Sequence, residues 1–305
     1  MKRLVFTLRA CEPACLPGFL GSTLRGAFGH ALKKRTCLKV PPVCNDICQF
    51  EDGCIYHQIF EAGHPRPHPG TGQLDDFQHP YLIVLPPISL AQNRQQLQRD
   101  ETLTFEITLI GKSTDVHAPV TEAVRLMGAF GLGVARSVFE LESVASPDEP
   151  VTTLGNLVAH RLTELPQPDQ ITIQLETPAR IRLGKKLQFQ LPCSILVRSL
   201  ARRINSLAAF HGSEPLNLDI EELTRLASKV KTVATQIRWC DWERYSNRQE
   251  TKMKLGGVIG KITYSGPALA GLLPLLAAGE IVHVGAATTF GLGGYRLSVS
   301  PHLNS

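Results

Sequence analysis

The sequence predicts an α+β chain made of two tandem ferredoxin-like units, each running β-α-β-β-α-β. Three observations predict it. Strand and helix periodicities alternate in the same order twice along the chain. A stretch bearing Pro147, Pro150, Pro166 and Pro168 separates the two rounds. The 305 residues are 43% hydrophobic, enough to build a core in each unit. The expected division is a first domain over 1–145, a linker over 146–168 and a second domain over 169–305.

In the first domain, Arg3–Arg9 reads as a strand. Pro17 and Gly18 open a helix in which Leu20, Leu24, Phe28 and Leu32 recur every fourth residue along one face. A cysteine-bearing loop follows, inserted after this helix, and residues 63–79 look irregular. "YLIVLPP" from 81 and "TLTFEITLIG" from 102 read as strands, the second because Phe105, Ile107 and Leu109 alternate with Thr104, Glu106 and Thr108. "VTEAVRLMGAF" from 120 reads as a helix and "RSVFELESV" from 136 as the closing strand.

The second domain repeats the order. "QITIQLETPARIRL" reads as a strand, and helices are expected from Ser194 and over residues 220–234. "QIRWCDWERYS" and "MKLGGVIGKITYS" read as two long strands. A helix starts at Pro267, a favoured first-turn residue. "VHVGA" and "GGYRLSVS" are expected to close the domain as strands.

Charge is distributed unevenly. Residues 1–40 carry eight Lys/Arg against one acid, residues 41–179 seven against eighteen, and residues 180–261 sixteen against seven. Two basic regions flank an acidic one, which suits a polyanionic partner such as nucleic acid. No apolar run reaches eighteen residues, so no transmembrane helix and no membrane partner are expected. The first residues read as a strand rather than a signal peptide, which points to the cytoplasm. There, eight cysteines are read as thiols or metal ligands rather than disulfides.

Cys37, Cys44, Cys48 and Cys54 lie within eighteen residues. Four thiolates at this spacing can form a tetrahedral structural zinc site, although the usual C-x2-C pairs are missing. An iron–sulfur cluster and four free thiols are the other readings of the same residues. No D-x-D or H-E-x-x-H cluster appears, so the chain shows no ligand set for a metal-dependent nuclease.

On the helix from Ser194, Leu196, Leu200, Ile204 and Leu207 share one face, and Arg198 and Arg202 share another. Arg203 falls nearer the apolar side. Arginine forks suit phosphate oxygens. Arg238, Arg244, Lys252 and Lys254 extend the candidate RNA-binding set, near Trp239, Trp242 and Tyr245, whose rings suit stacked bases. A solvated basic face would give the same pattern.

The loop "GAATTFGLGGYRL", residues 285–297, matches no nucleotide-binding fingerprint. No helix follows it, and it contains no lysine, so neither a dinucleotide loop nor a P-loop fits. What remains is backbone able to approach another group closely.

Four stretches together resemble one family: "LRGAFGHALK", "CIYHQIFE", "GGVIGKITYSG" and "HVGAATTFGLGGYRL". The chain resembles the CRISPR-associated endoribonucleases of the RAMP superfamily, which cut precursor CRISPR RNA within each repeat. The resemblance implies two ferredoxin-like domains and a glycine-rich loop, here Gly285, Gly291 and Gly293, packed where RNA backbone passes. It also implies metal-free cleavage by the 2′-hydroxyl, leaving a 2′,3′-cyclic phosphate and a 5′-hydroxyl, with no cofactor for catalysis. His30 lies on the first helix, where several relatives place a catalytic histidine, and Lys34 follows one turn later on the same face. Relatives tend to carry a lysine just after "HVG", where this chain has Ala286. The implied partners are CRISPR repeat RNA, the processed crRNA and other effector subunits. The alternative is a non-catalytic crRNA-binding RAMP subunit of an effector complex.

Overall fold

The structure is a computed structural model that describes residues 1–37, 53–61, 78–85, 94–147, 151–184, 186–213, 216–246 and 251–301. The chain forms two compact units, 1–151 with 209–213, and 152–208 with 214–305.

The first unit runs β1 (Lys2–Ala10), β2 (Ala14–Pro17), α1 (Gly21–Thr36), β3 (Tyr81–Val84), β4 (Arg94–Leu97), β5 (Thr102–Leu109), α2 (His117–Ala129) and β6 (Phe139–Ala145). Its main sheet has the order β3-β5-β1-β6, antiparallel throughout, which is the ferredoxin-like arrangement. Alternation sets the core. Leu4, Phe6 and Leu8 of β1 are buried, and Phe6 stands opposite Phe105 of β5 with ring centroids 5.6 Å apart. Leu20, Leu24, Phe28 and Leu32, the face read from the sequence, are all buried in the same core. From α2, Val120, Ala123, Val124 and Met127 join them. The pairing of β2 with β4 escaped the sequence reading, because β4 is the polar "RQQL" and carries no strand-like alternation.

The second unit runs α3 (Leu154–Thr163), β7 (Pro168–Ala179), β8 (Arg182–Leu183), β9 (Lys186–Leu187), α4 (Cys193–His211), α5 (Ile220–Ala227), β10 (Lys231–Ser246), β11 (Thr251–Ser265), α6 (Leu269–Val282) and β12 (Tyr295–Pro301). Its main sheet, in the order β10-β11-β7-β12, repeats the ferredoxin-like topology of the first. Ile171, Ile173 and Leu175 of β7, with Val258, Ile262 and Tyr264 of β11, form the inner face of the sheet.

Three elements differ from the sequence expectations. Within the stretch read as a linker stands α3, capped by Thr153, whose hydroxyl accepts from the Asn156 amide at 3.1 Å. Arg161 on α3 binds Glu280 of α6 at 2.8 Å and the Leu297 carbonyl at 2.9 Å. Apolar α6 therefore has a cover on its second side. The helix expected over 220–234 ends at Ala227, and Lys231 already pairs with Ser265 of β11. A strand partner outweighs helical propensity at β-branched Thr232 and Val233. "VHVGA" is not a strand: α6 runs to Val282, His283 turns the chain at φ 61°, and Gly285 makes a single bridge to Arg180.

Candidate nucleic-acid interface

In the first unit, α1 carries Arg25, Lys33, Lys34 and Arg35 and no acid. Lysines and an arginine in the last turn also complement the helix dipole, so part of this charge serves the helix itself. His30 is exposed, and its ring stands edge-on to Phe130, with centroids 5.9 Å apart. The Lys34 ammonium lies 4.5 Å from the centroid of the same Phe130 ring. One aromatic ring thus underlies both residues expected to act on a phosphate. Phe130 follows the last turn of α2 as its C-cap residue. Neither ring nitrogen of His30 has a hydrogen-bond partner among the described residues.

The other flank of α1 packs on aromatic residues. Phe60, in the π-helical turn His57–Glu61, lies so close to Gly29 that a Cβ there would collide with its ring. Arg25 covers that ring at 4.2 Å, and Tyr56 stacks on it with centroids 5.3 Å apart. This holds the segment after the cysteine-rich stretch against the helix. Cys37 caps α1, and Cys54 is buried; both are free thiols. Cys44 and Cys48 lie outside the described residues, and no group of three or more potential metal ligands forms among the described ones.

In the second unit, the glycine-rich loop is sewn to the end of β7. The Ala286 amide donates to the Arg180 carbonyl at 2.9 Å, and the Gly293 amide donates to Pro178 at 3.1 Å. The Gly294 amide donates to the Thr177 hydroxyl at 2.8 Å, and the Val284 amide donates to the Gly293 carbonyl at 2.9 Å. Gly293 has φ 74°, and a Cβ there would overlap the Val284 carbonyl oxygen. Gly291 and Gly293 are buried, and their amides are already engaged within the chain, Gly291 with the Thr288 carbonyl. Close packing explains glycine at 293, and a left-handed φ of 78° explains it at 291. Gly285 is half-buried, and Ala286, at the crest, is exposed.

His283 sits under this loop at 3% exposure. Its Nδ1 lies 3.1 Å from the Leu292 carbonyl, which can only accept, so Nδ1 carries the proton. Burial, and then the nearby Arg203 cation, push its pKa down to about 4.

Arg198 and Arg202 lie on one face of α4, as expected, and join Arg182 around a cavity of about 60 Å³. Gly184 and Ser199 complete its polar rim, and among the described residues no carboxylate lines it. Arg203, read as a third member of the set, is a correction: it is 3% exposed, and its Nε donates to the Val282 carbonyl at 2.8 Å. Burial pushes its guanidinium down to about 9. One residue along a helix turns the side chain by about 100°, which here separates a surface site from the core. Arg203 caps the end of α6.

Arg238 is exposed but projects from the opposite sheet face to Trp239, its neighbour on β10. Arg244 pairs with Met253 in the ladder, with Lys252 and Lys254 on the same hairpin; the side chains of all three lie outside the described residues. Trp239 packs on the inner side, next to Phe189, with centroids 4.5 Å apart. Its indole N–H donates to Asp241 at 2.8 Å. Sequence reading passed over Arg180, Arg182 and Phe189. The basic run Arg180, Arg182, Lys185 and Lys186 was the signal that could have found the arginines.

Comparison with known proteins now bears on this geometry. The N-terminal domain family AF_1859_N matches residues 1–166, and the CRISPR-associated endoribonuclease Cas6 family matches residues 173–295. The chain belongs to the AF_1859_N family, and its residues 173–295 are similar to the Cas6 family. An uncharacterized protein of Archaeoglobus fulgidus is 26% identical over 294 residues, 92% of each chain. A Cas6 product complex superposes with a TM-score of 0.58 at 18% identity, covering 97% of this chain and 99% of that one. A Thermus thermophilus Cas6 superposes with a TM-score of 0.54 at 16% identity, covering 97% of both chains. At these identities the solved structures speak for the fold, and the tandem ferredoxin-like architecture is theirs.

The Cas6 match runs from within β7 to the first residue of β12. It therefore includes the arginine cavity, the Phe189–Trp239 pair and the glycine-rich loop. Among the described residues no helix is long and apolar enough to cross a membrane.

Proposed function

We propose that the protein binds CRISPR repeat RNA and cleaves it without a metal ion, releasing crRNA with a 2′,3′-cyclic phosphate and leaving a 5′-hydroxyl on the other fragment. The observation that carries the reading is the Cas6 endoribonuclease match over residues 173–295. The exposed His30 on acid-free α1 supports it. In this reading His30 takes the proton of the 2′-hydroxyl, and the freed oxygen attacks the adjacent phosphorus. The bond from phosphorus to the 5′-oxygen breaks, and the leaving oxygen takes a proton from water. The Lys34 ammonium offsets the negative charge that builds on the phosphorane. Arg182, Arg198 and Arg202 hold the backbone through the second unit. By analogy with a Cas6–RT–Cas1–Cas2 complex of similar fold, other CRISPR proteins are partners in this reading.

Zinc, in this proposal, has a structural role only. Cys37, Cys44, Cys48 and Cys54 would hold it, and the free thiols of Cys37 and Cys54 suit it chemically. The test of the activity is incubation with cognate repeat RNA in EDTA, followed by end-group analysis. Cyclic phosphate ends support the reading, and intact RNA overturns it. One observation favours the second reading, a crRNA-binding subunit that does not cut. No hydrogen bond among the described residues orients the His30 ring for proton transfer.

A further inference from the structure

Phe189 is 62% exposed, although it is a large apolar side chain on a basic surface. It covers one side of Trp239, whose indole is fixed by Asp241 and lies close over Gly256, where a Cβ would strike the ring. Gly256 is in turn held by Arg180, whose Nη1 donates to the Gly256 carbonyl at 2.8 Å. The ring of Phe189 is therefore mounted on a rigid support, with much of its surface left to solvent.

The arginine cavity begins on the same hairpin. Arg182 pairs with Leu187, and the Gln188 amide donates to the Ile181 carbonyl at 2.9 Å. Phe189 is the next residue. Along the hairpin, Phe189 and Arg182 are separated by two residue steps, about 7 Å. The cavity has room for several water molecules, and hence for a tetrahedral oxyanion. Neither Arg182 nor Arg198 has an acidic partner among the described residues.

We propose that Phe189 and the cavity of Arg182, Arg198 and Arg202 form one site for an unpaired nucleotide of an RNA strand, its base stacked on Phe189 and its phosphate among the arginines. The proposal deepens the RNA-binding part of the proposed function and rests on it. It adds that this site takes single-stranded rather than duplex RNA, because a paired base keeps its faces inside the helix stack.

The test uses the full chain with Trp242→Phe, which leaves Trp239 as the sole tryptophan. An unstructured ten-nucleotide RNA, a blunt RNA duplex and a mononucleotide are titrated separately. The single strand is expected to quench Trp239 fluorescence. Phe189→Ala is expected to weaken single-strand binding about 5- to 150-fold, with duplex binding unchanged. Arg198→Ala is expected to lower the slope of log affinity against log salt by about 0.7. Single-strand affinity of Phe189→Ala within twofold of the parent would overturn the proposal. So would an equal loss on duplex, or mononucleotide binding as tight as the strand, which would mark a free-nucleotide site. Circular dichroism controls for folding. None of these readouts needs cleavage. A protein that never cuts repeat RNA but shows the quenching keeps this site and loses the nuclease reading.

Discussion

His30 stands edge-on to Phe130, with ring centroids 5.9 Å apart, and Lys34 lies over the same ring at 4.5 Å. Two residues one turn apart on α1 thereby share an apolar floor supplied by the end of α2. Replacing His30 by alanine is expected to slow repeat cleavage by about 10²- to 10⁴-fold. Repeat affinity should stay within twofold, because the backbone grip is assigned to the second unit. Single-turnover kinetics and a filter-binding titration check the two halves of this prediction. Cleavage retained at the parent rate would remove His30 from the chemistry.

Arg203 and Arg198 should separate cleanly when each is changed to alanine. Arg203 donates to the Val282 carbonyl in the core, so its loss is expected to destabilise the fold by about 1–3 kcal/mol. The salt dependence of RNA binding should not move. Arg198→Ala should do the reverse, leaving the melting temperature in place and reducing the salt slope. Thermal melts and salt titrations on the two variants decide it.

His283 makes stability depend on pH with a definite sign. Its folded pKa lies at about 4, against an ordinary 6.5 in the unfolded chain. Above pH 6.5 the ring is neutral in both states, and its contribution is intact. As pH falls from 6.5 towards 4, the unfolded chain binds the proton and the folded one does not, so stability is lost, by up to about 3 kcal/mol. Urea melts at pH 7 and pH 4.5 should show the drop. His283→Gln, which cannot titrate, should flatten it; an equal drop in that variant would assign the effect elsewhere.

Gly293→Ala tests the loop. The residue must hold φ 74° with its Cα against the Val284 carbonyl, so a methyl group adds both strain and overlap. The expected cost is about 2–4 kcal/mol, read as a lower urea midpoint at unchanged slope. A variant as stable as the parent but deficient in RNA binding would mean that the glycine serves the ligand rather than the packing.

Much of this was local and therefore visible in the chain as written. Alternation along β1, β5 and β7 and the four-residue rhythm of α1 set which faces are buried, because side-chain direction follows backbone period. The order of elements and the charge swing followed in the same way, whereas the family was suggested by the resemblance of four stretches, the glycine-rich loop among them. What tertiary structure alone decided was which neighbours meet across long separations. Arg203 turned inward to the end of α6 while Arg202, one residue away, stayed at the cavity. Phe130 came beneath His30, and Phe189 came against Trp239 fifty residues later. Gly285 and Gly293 owe their identity to the carbonyls of Arg180 and Val284, and Gly294 packs against the His283 ring and the Thr177 hydroxyl. Such contacts depend on close packing between segments distant in sequence, and no local period encodes them.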